Sequence, residues 1–204
     1  MPRVSEEHLE RRRQQILDAA LRCFRRKGFH ETSMQDVFAE SGLSAGAVYR
    51  YFKSKDELIG ALAISAVGEL RGVMAEAVHA DTLLTPGELV QRVATEAVAR
   101  SGPDGLVPLI PQAWALAVVK PDAAEYVRVA VHGLRGLWHE YVVRMRDEGW
   151  LAPDTDTDAV AKVIIGVMAG FILQHLLVGD VDPQSFARGA DQLIPVRRSP
   201  APND

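Results

Sequence analysis

At 204 residues, 48% hydrophobic and 25% charged, the chain can bury one or two cores, which excludes disordered and fibrous classes. The net charge of −4 is uneven: residues 1–57 carry 11 Lys/Arg against 9 Asp/Glu, and residues 58–204 carry 12 against 18. A polyanionic partner is therefore expected at the N-terminal part.

The first helix is expected from a cap near Ser5 to Lys27, with Ile16, Ala20, Cys23 and Phe24 at helical spacing and Gly28 closing it. Cys23, the one cysteine, reads as a small core residue; a single thiol excludes an intramolecular disulfide and fits a reducing compartment. The opening MPRVSEEHLE has no apolar core for a signal peptide, so a soluble, cytoplasmic protein is expected.

The stretch Thr32–Leu62 then reads as two short helices and the start of a long one. Thr32 and Ser33 can cap the first, and Ser33-x-x-Asp36 has capping-box spacing. Gly42 supplies a turn that favours φ > 0, and Ser44 caps a second helix expected over Ala45–Tyr51. Val37, Leu43 and Val48 are spaced to meet in a shared core. Two short helices about a Gly-containing turn are the signature of a helix-turn-helix. The second helix offers Ala45, Ala47, Arg50 and Tyr51 on its exposed face, with no acids, and Tyr49, Arg50, Tyr51, Lys53 and Lys55 alternate aromatic with basic groups. Small side chains admit a helix to a major groove. Arg forks onto a guanine edge, and Tyr hydroxyls and Lys suit phosphate oxygens. A second capping box, Ser54-x-x-Glu57, sets Lys55 in the first turn of a long helix expected to reach about Ala80.

Further along, Thr85-Pro86-Gly87-Glu88 predicts a capped helix to about Arg100. Pro108 and Pro111 confine the next to a firm part over Gln112–Val119. Lys120-Pro121-Asp122 opens a long helix to roughly Glu148, with Trp138, Tyr141 and Met145 in its apolar stripe. Asp156/Thr157 restarts a helix to about Val178, and Asp182-Pro183 opens a last one to Ile194. Residues 197–204 are Pro-rich, polar and expected to be disordered. No strand pattern occurs, and the predicted class is all-α. Between Ala159 and Val178 the polar residues are only Lys162, Gln174 and His175, and the densest apolar run, Val163–Leu173, spans 11 residues, too short for a bilayer. A helix apolar nearly all round needs cover on both sides, and a second subunit can supply one of them. Gly166-x-x-x-Gly170 permits close helix approach, and Phe186, Ala190, Leu193 and Ile194 give the last helix a matching face.

Residues 9–62 resemble the N-terminal DNA-binding domain of the TetR family of transcriptional regulators. The marks are ILDAALRCF, Gly28, Thr32-Ser33, Val37, Gly42-Leu43-Ser44, Val48-Tyr49-x-Tyr51-Phe52 and Lys53-Ser54-Lys55-Asp56-Glu57-Leu58. The resemblance implies phosphate contacts at Thr32, Ser33, Tyr49, Tyr51 and Lys55 and base contacts near Ala45, Gly46, Ala47 and Arg50. It implies a homodimer on a four-helix bundle, with Gly166, Gly170, Phe186 and Leu193 in the interface. It also implies a small effector held in the C-terminal domain that alters the spacing of the two heads on an inverted-repeat operator. The chain departs from the pattern at Phe38, where a small Ala is usual, at Ala45, where Lys is frequent, and at Tyr51, where His is common.

The implied division is a head over 1–53, an effector and dimerisation domain over 54–196, and a tail over 197–204. Met74, Trp114, His132, Trp138, Met168, Phe171, Gln174 and His175 combine apolar surface with hydrogen-bonding tips suited to an effector pocket. His132 and His139 share a helix face, yet no metal-ligand motif, phosphate loop or nucleophile elbow occurs, so neither metal, cofactor nor catalysis is expected. The regulator is read as a repressor released by its effector. The alternative is a helical ligand-sequestering protein without specific DNA binding, which Phe38 and Ala45 keep open.

Overall fold

The computed structural model describes residues 6–102, 105–194 and 196, with the backbone alone at Asp122. The expected tail lies outside them. Helices account for all the regular structure among the described residues: α1 (Glu6–Glu31), α2 (Met34–Ser41), α3 (Ala45–Tyr49), α4 (Lys55–Val78), α5 (Pro86–Ala99), α6 (Leu109–Val119), α7 (Pro121–Asp147), α8 (Thr157–Leu177) and α9 (Pro183–Leu193).

The boundaries follow local chemistry. Gly28 breaks the helical path of α1 with φ 77° and ψ 162°, and the chain turns through 29–31. Ser33 and Asp36 form both halves of a capping box, and Gly42 ends α2 in the left-handed region at φ 68°. The helix α3 is shorter than expected. The chain tightens after Tyr49, and the N–H groups of Tyr51 and Phe52 both donate to Val48 O. The second expected box is altered: Ser54 Oγ accepts from Glu57 N–H, but the Glu57 carboxylate reaches back one residue further, to Lys53 N–H at 2.7 Å. The helix α6 starts at Leu109, before Gln112, since Pro111 falls in the first turn, where a missing N–H breaks no bond. Thr85 and Glu88 box α5, and Asp156 and Asp182 cap α8 and α9.

Packing divides the chain into two compact units. The first joins the residues up to Ser65 with Gln112–Val127, so it contains the helix-turn-helix and the end of α6 with the start of α7. Ile16, Leu17, Cys23, Val37, Val48 and Leu58 are fully enclosed in it, whereas Leu43 of the expected trio is half-buried. Lys120 pairs with Asp56 at the start of α4, and the Tyr126 side chain lies where a Cβ on Gly60 would meet it at 3.0–3.3 Å.

The second unit comprises Ala66–Pro111 and the chain from Arg128. Here α9 lies against α5, and the approach depends on Gly87. A Cβ there would sit 2.7 Å from Ala187 O and closer still to the Asp191 carboxylate, which accepts Gly87 N–H at 2.7 Å. On α7, Tyr141 donates to Leu84 O at 2.7 Å, Arg144 donates to Val78 O and Ala80 O, and Glu140 meets His79 at 3.0 Å. Three neighbours on one helix thus hold the α4–α5 connection.

Both α4 and α8 are long and apolar enough to cross a bilayer by length and composition alone. The 11-residue run understates α8, whose 21 residues are apolar almost throughout. One side of α8, with Ile164, Met168 and Phe171, is core; the other exposes Val163 (64%) and Leu177 (79%) with Gly166. The expected partner face of α9 is divided likewise: Ala190 is buried, Phe186 lies half-buried against Phe171 with ring centroids 5.0 Å apart, and Leu193 is 76% exposed.

Candidate nucleic-acid interface

The helix-turn-helix is built from α1 outward. Arg22 and Arg26 grip Glu40 at 2.7 and 2.9 Å, Gln15 donates to Ser41 O at 2.8 Å, and Lys27 pairs with Asp36. These contacts fix both ends of α2 on α1. They also set the charge state: the Lys27 ammonium, then the Ser33 N–H and hydroxyl, hold the Asp36 carboxyl well below the usual carboxylate range, and Arg22 and Arg26 lower that of Glu40. Burial, with Glu40 nearby, pushes the Cys23 thiol up.

On this base α3 presents a small, acid-free surface. Ser44 caps it by accepting Ala47 N–H at 3.3 Å. Ala45, Gly46, Tyr49 and Arg50 are exposed and Ala47 is half-buried. Arg50 ends α3 with no ion-pair partner among the described residues. Tyr49 is 46% exposed, with its ring against Phe38; Tyr51 is half-buried.

Three of the residues expected at phosphates do more than face outward. Thr32 is only 2% exposed, and its hydroxyl donates to Gly28 O at 2.7 Å with Cys23 O at 3.2 Å. Its side chain therefore shapes the α1–α2 turn and is withdrawn from any ligand surface. Ser33 is exposed, but its hydroxyl is engaged with Asp36. What the pair leaves facing outward is the first turn of α2, where Met34 and Gln35 N–H lack intrahelical acceptors. Lys55 donates to Phe29 O at 2.6 Å and His30 O at 3.0 Å and lies 4.6 Å from the Phe29 ring centroid. Two of its three N–H groups thus satisfy carbonyls just past the Gly28 break.

The expected effector residues are dispersed. In the second unit Met74, Trp138, Met168 and Phe171 are buried, while His132 and Gln174 are exposed; Trp114 belongs to the first unit, half-buried. His175 stacks on Phe171 with planes 7° apart. Its Nε2 lies 2.9 Å from Ser101 Oγ, whose own proton goes to Val98 O at 2.7 Å. Nε2 must then be the donor, so the neutral ring carries a bare Nδ1. That Nδ1 is enclosed and without a partner among the described residues. His139 instead meets Thr157 Oγ1 at 3.1 Å.

Sequence spacing showed Ser33, Ser44 and Gly42 because each acts within three or four residues. It missed the Arg22–Glu40–Arg26 clamp and the Phe38–Tyr49 contact, which join separate helices and leave no periodic trace.

Comparison with known proteins agrees with this construction. Residues 16–62 match the family model described as bacterial regulatory proteins, tetR family, and residues 86–194 match that of the C-terminal domain of BetI-type transcriptional repressors. The HTH-type transcriptional repressor Rv1474c of Mycobacterium tuberculosis is 31% identical over 209 residues, covering 98% of this chain and all of that one. Among solved structures, Salmonella enterica GusR superposes with a TM-score of 0.72 at 18% identity, over 95% of this chain and 99% of its own. The Bacillus subtilis regulator FadR, in complex with stearoyl-CoA, does so with a TM-score of 0.66 at 15% identity, over 89% and 96%. With both parts of the chain matched in order and a repressor aligned along its whole length, the protein belongs to the TetR family of bacterial transcriptional regulators.

Proposed function

We propose that the protein is a cytoplasmic, homodimeric repressor that binds a pseudo-palindromic operator and leaves it when a small effector binds. The observation that carries the DNA half is the face of α3, capped by Ser44, free of acids and ending in Arg50. Ala45, Gly46, Ala47 and Arg50 meet base edges; Ser33, Tyr49, Tyr51 and Lys55 meet phosphates, and Thr32 acts through its backbone. Two heads occupy successive major grooves about 34 Å apart. The DNA-binding motif is the 1–53 region, and 54–196 serves effector binding and dimerisation.

The exposed apolar side of α8, with Gly166 and the half-buried Gly170, joins Leu193 and the free edge of Phe186 in the subunit interface. For the effector, Met74, Trp138, Met168 and Phe171 offer apolar surface, and His175 Nδ1 offers an acceptor for one N–H or O–H group. The stearoyl-CoA of FadR belongs to that protein; the effector of this one is a mainly apolar molecule carrying one donor. Such a ligand works only by binding more tightly to the head spacing that misfits the operator. The transmitter is α4, one helix from Lys55 to Val78.

The test is binding-site selection on random duplex DNA with the purified protein at two salt concentrations. An inverted-repeat consensus with a steep salt dependence supports the reading. Weak, sequence-blind binding would sink it in favour of a ligand-sequestering protein.

A further inference from the structure

Phe38 and Tyr49 face each other across the α2–α3 turn, with ring centroids 5.2 Å apart and planes at 70°. This edge-to-face geometry is favoured over a face-to-face sandwich because the electropositive edge of one ring meets the electronegative face of the other. The shared core of the two helices is filled by Val37 and Val48, both fully buried. Phe38, the next residue along, is only half-buried. Tyr49 stands 46% exposed, and its hydroxyl has no partner among the described residues.

We propose that Phe38 is a positioning residue for operator binding, whose ring holds Tyr49 in the rotamer that aims its hydroxyl at a DNA phosphate. The inference rests on the DNA-binding reading and deepens it. An exposed Tyr at the end of a five-residue helix samples several χ1 wells, and ordering it on binding costs affinity. Phe38 is itself fixed, since α2 is boxed by Ser33 and Asp36 at one end and clamped through Glu40 at the other. The order imposed by α1 thus passes through Phe38 to an atom on the DNA face. The phenolic hydroxyl is neutral, so its phosphate bond releases no counterion, and its loss leaves the salt slope unchanged.

The experiment measures operator affinity at several salt concentrations, on the selected duplex, for wild type, Phe38→Ala, Tyr49→Phe and the double variant. Each single change is expected to weaken binding about threefold per head, hence about tenfold for two heads, at constant slope. The double variant should bind as Tyr49→Phe does, because a ring without its hydroxyl gains nothing from being held. Phe38→Tyr, which keeps the ring, should stay within about twofold of wild type. Equal losses from Phe38→Ala in both backgrounds, or a shallower slope, would assign Phe38 to folding of the head and overturn the proposal. Where Phe38→Ala lowers the melting temperature, Phe38→Leu keeps apolar volume and decides by the same comparison. Failure of the wild type to select any duplex would instead overturn the DNA-binding reading.

Discussion

Arg50 and Lys55 carry the same charge five residues apart, yet their surroundings give them different work. Arg50 is exposed at the end of α3 and paired with nothing among the described residues, so its planar fork is free for a guanine edge. Arg50→Ala should change the base preferred at one half-site position, with about tenfold loss of discrimination there; an unchanged consensus in repeated selection would remove Arg50 as a base reader. Lys55 holds Phe29 O and His30 O and so closes the end of α1; in the proposed function it neutralises a phosphate as well. Lys55→Ala should therefore lower the melting temperature as well as the salt slope, the latter by about one unit for each phosphate left unneutralised, and should weaken all sequences about equally. A lower melting temperature with an unaltered slope would leave Lys55 a purely internal cap.

Among the elements, α8 carries the proposed assembly. Its core side and its exposed side are divided by position, not by composition, so the sequence pattern alone does not separate them. Phe171, expected from sequence in the effector pocket, is enclosed against Phe186 and His175 on the core side of α8, and a charge there would break the subunit before the dimer. Val163→Asp, on the open side, is expected to give folded monomers with native helix content and at least a hundredfold weaker operator binding, on the order expected when two linked sites become one. A dimeric sedimentation profile for this variant would place the interface elsewhere. The same contrast explains what was legible. Helix ends were, because Ser33, Thr85, Asp156, Asp182, Gly28 and Gly42 act on their own neighbours. Contacts such as Gly87 with Asp191, or Tyr141 with Leu84, join residues 104 and 57 positions apart and were not. In the head the caps at Ser33 and Ser44 and the turn at Gly42 were legible, yet the burial of Thr32 escaped, since a threonine that caps and one that closes a turn look alike in sequence.

At the scale of the whole molecule the charge distribution limits how DNA can be held. A net charge of −4 per chain gives no general attraction to a polyanion, and the N-terminal excess is two charges. In the proposed dimer, affinity must come from a few placed groups on each head and from having two heads at once. This makes binding depend on geometry more than on electrostatics, since a lone head has little non-specific attraction to fall back on. Inserting five base pairs between the half-sites rotates them to opposite faces of the duplex, about half of a 10–10.5 base-pair turn. The dimer then engages one half-site, and affinity should fall at least about hundredfold, to that of an isolated half-site. Inserting a full turn restores the face but not the distance, so a dimer of fixed span should recover nothing. Recovery at the full-turn spacing would mean that the heads move apart at little cost. An effector could then not release the operator by changing their spacing, because a difference in affinity between two head positions is all it has to act with.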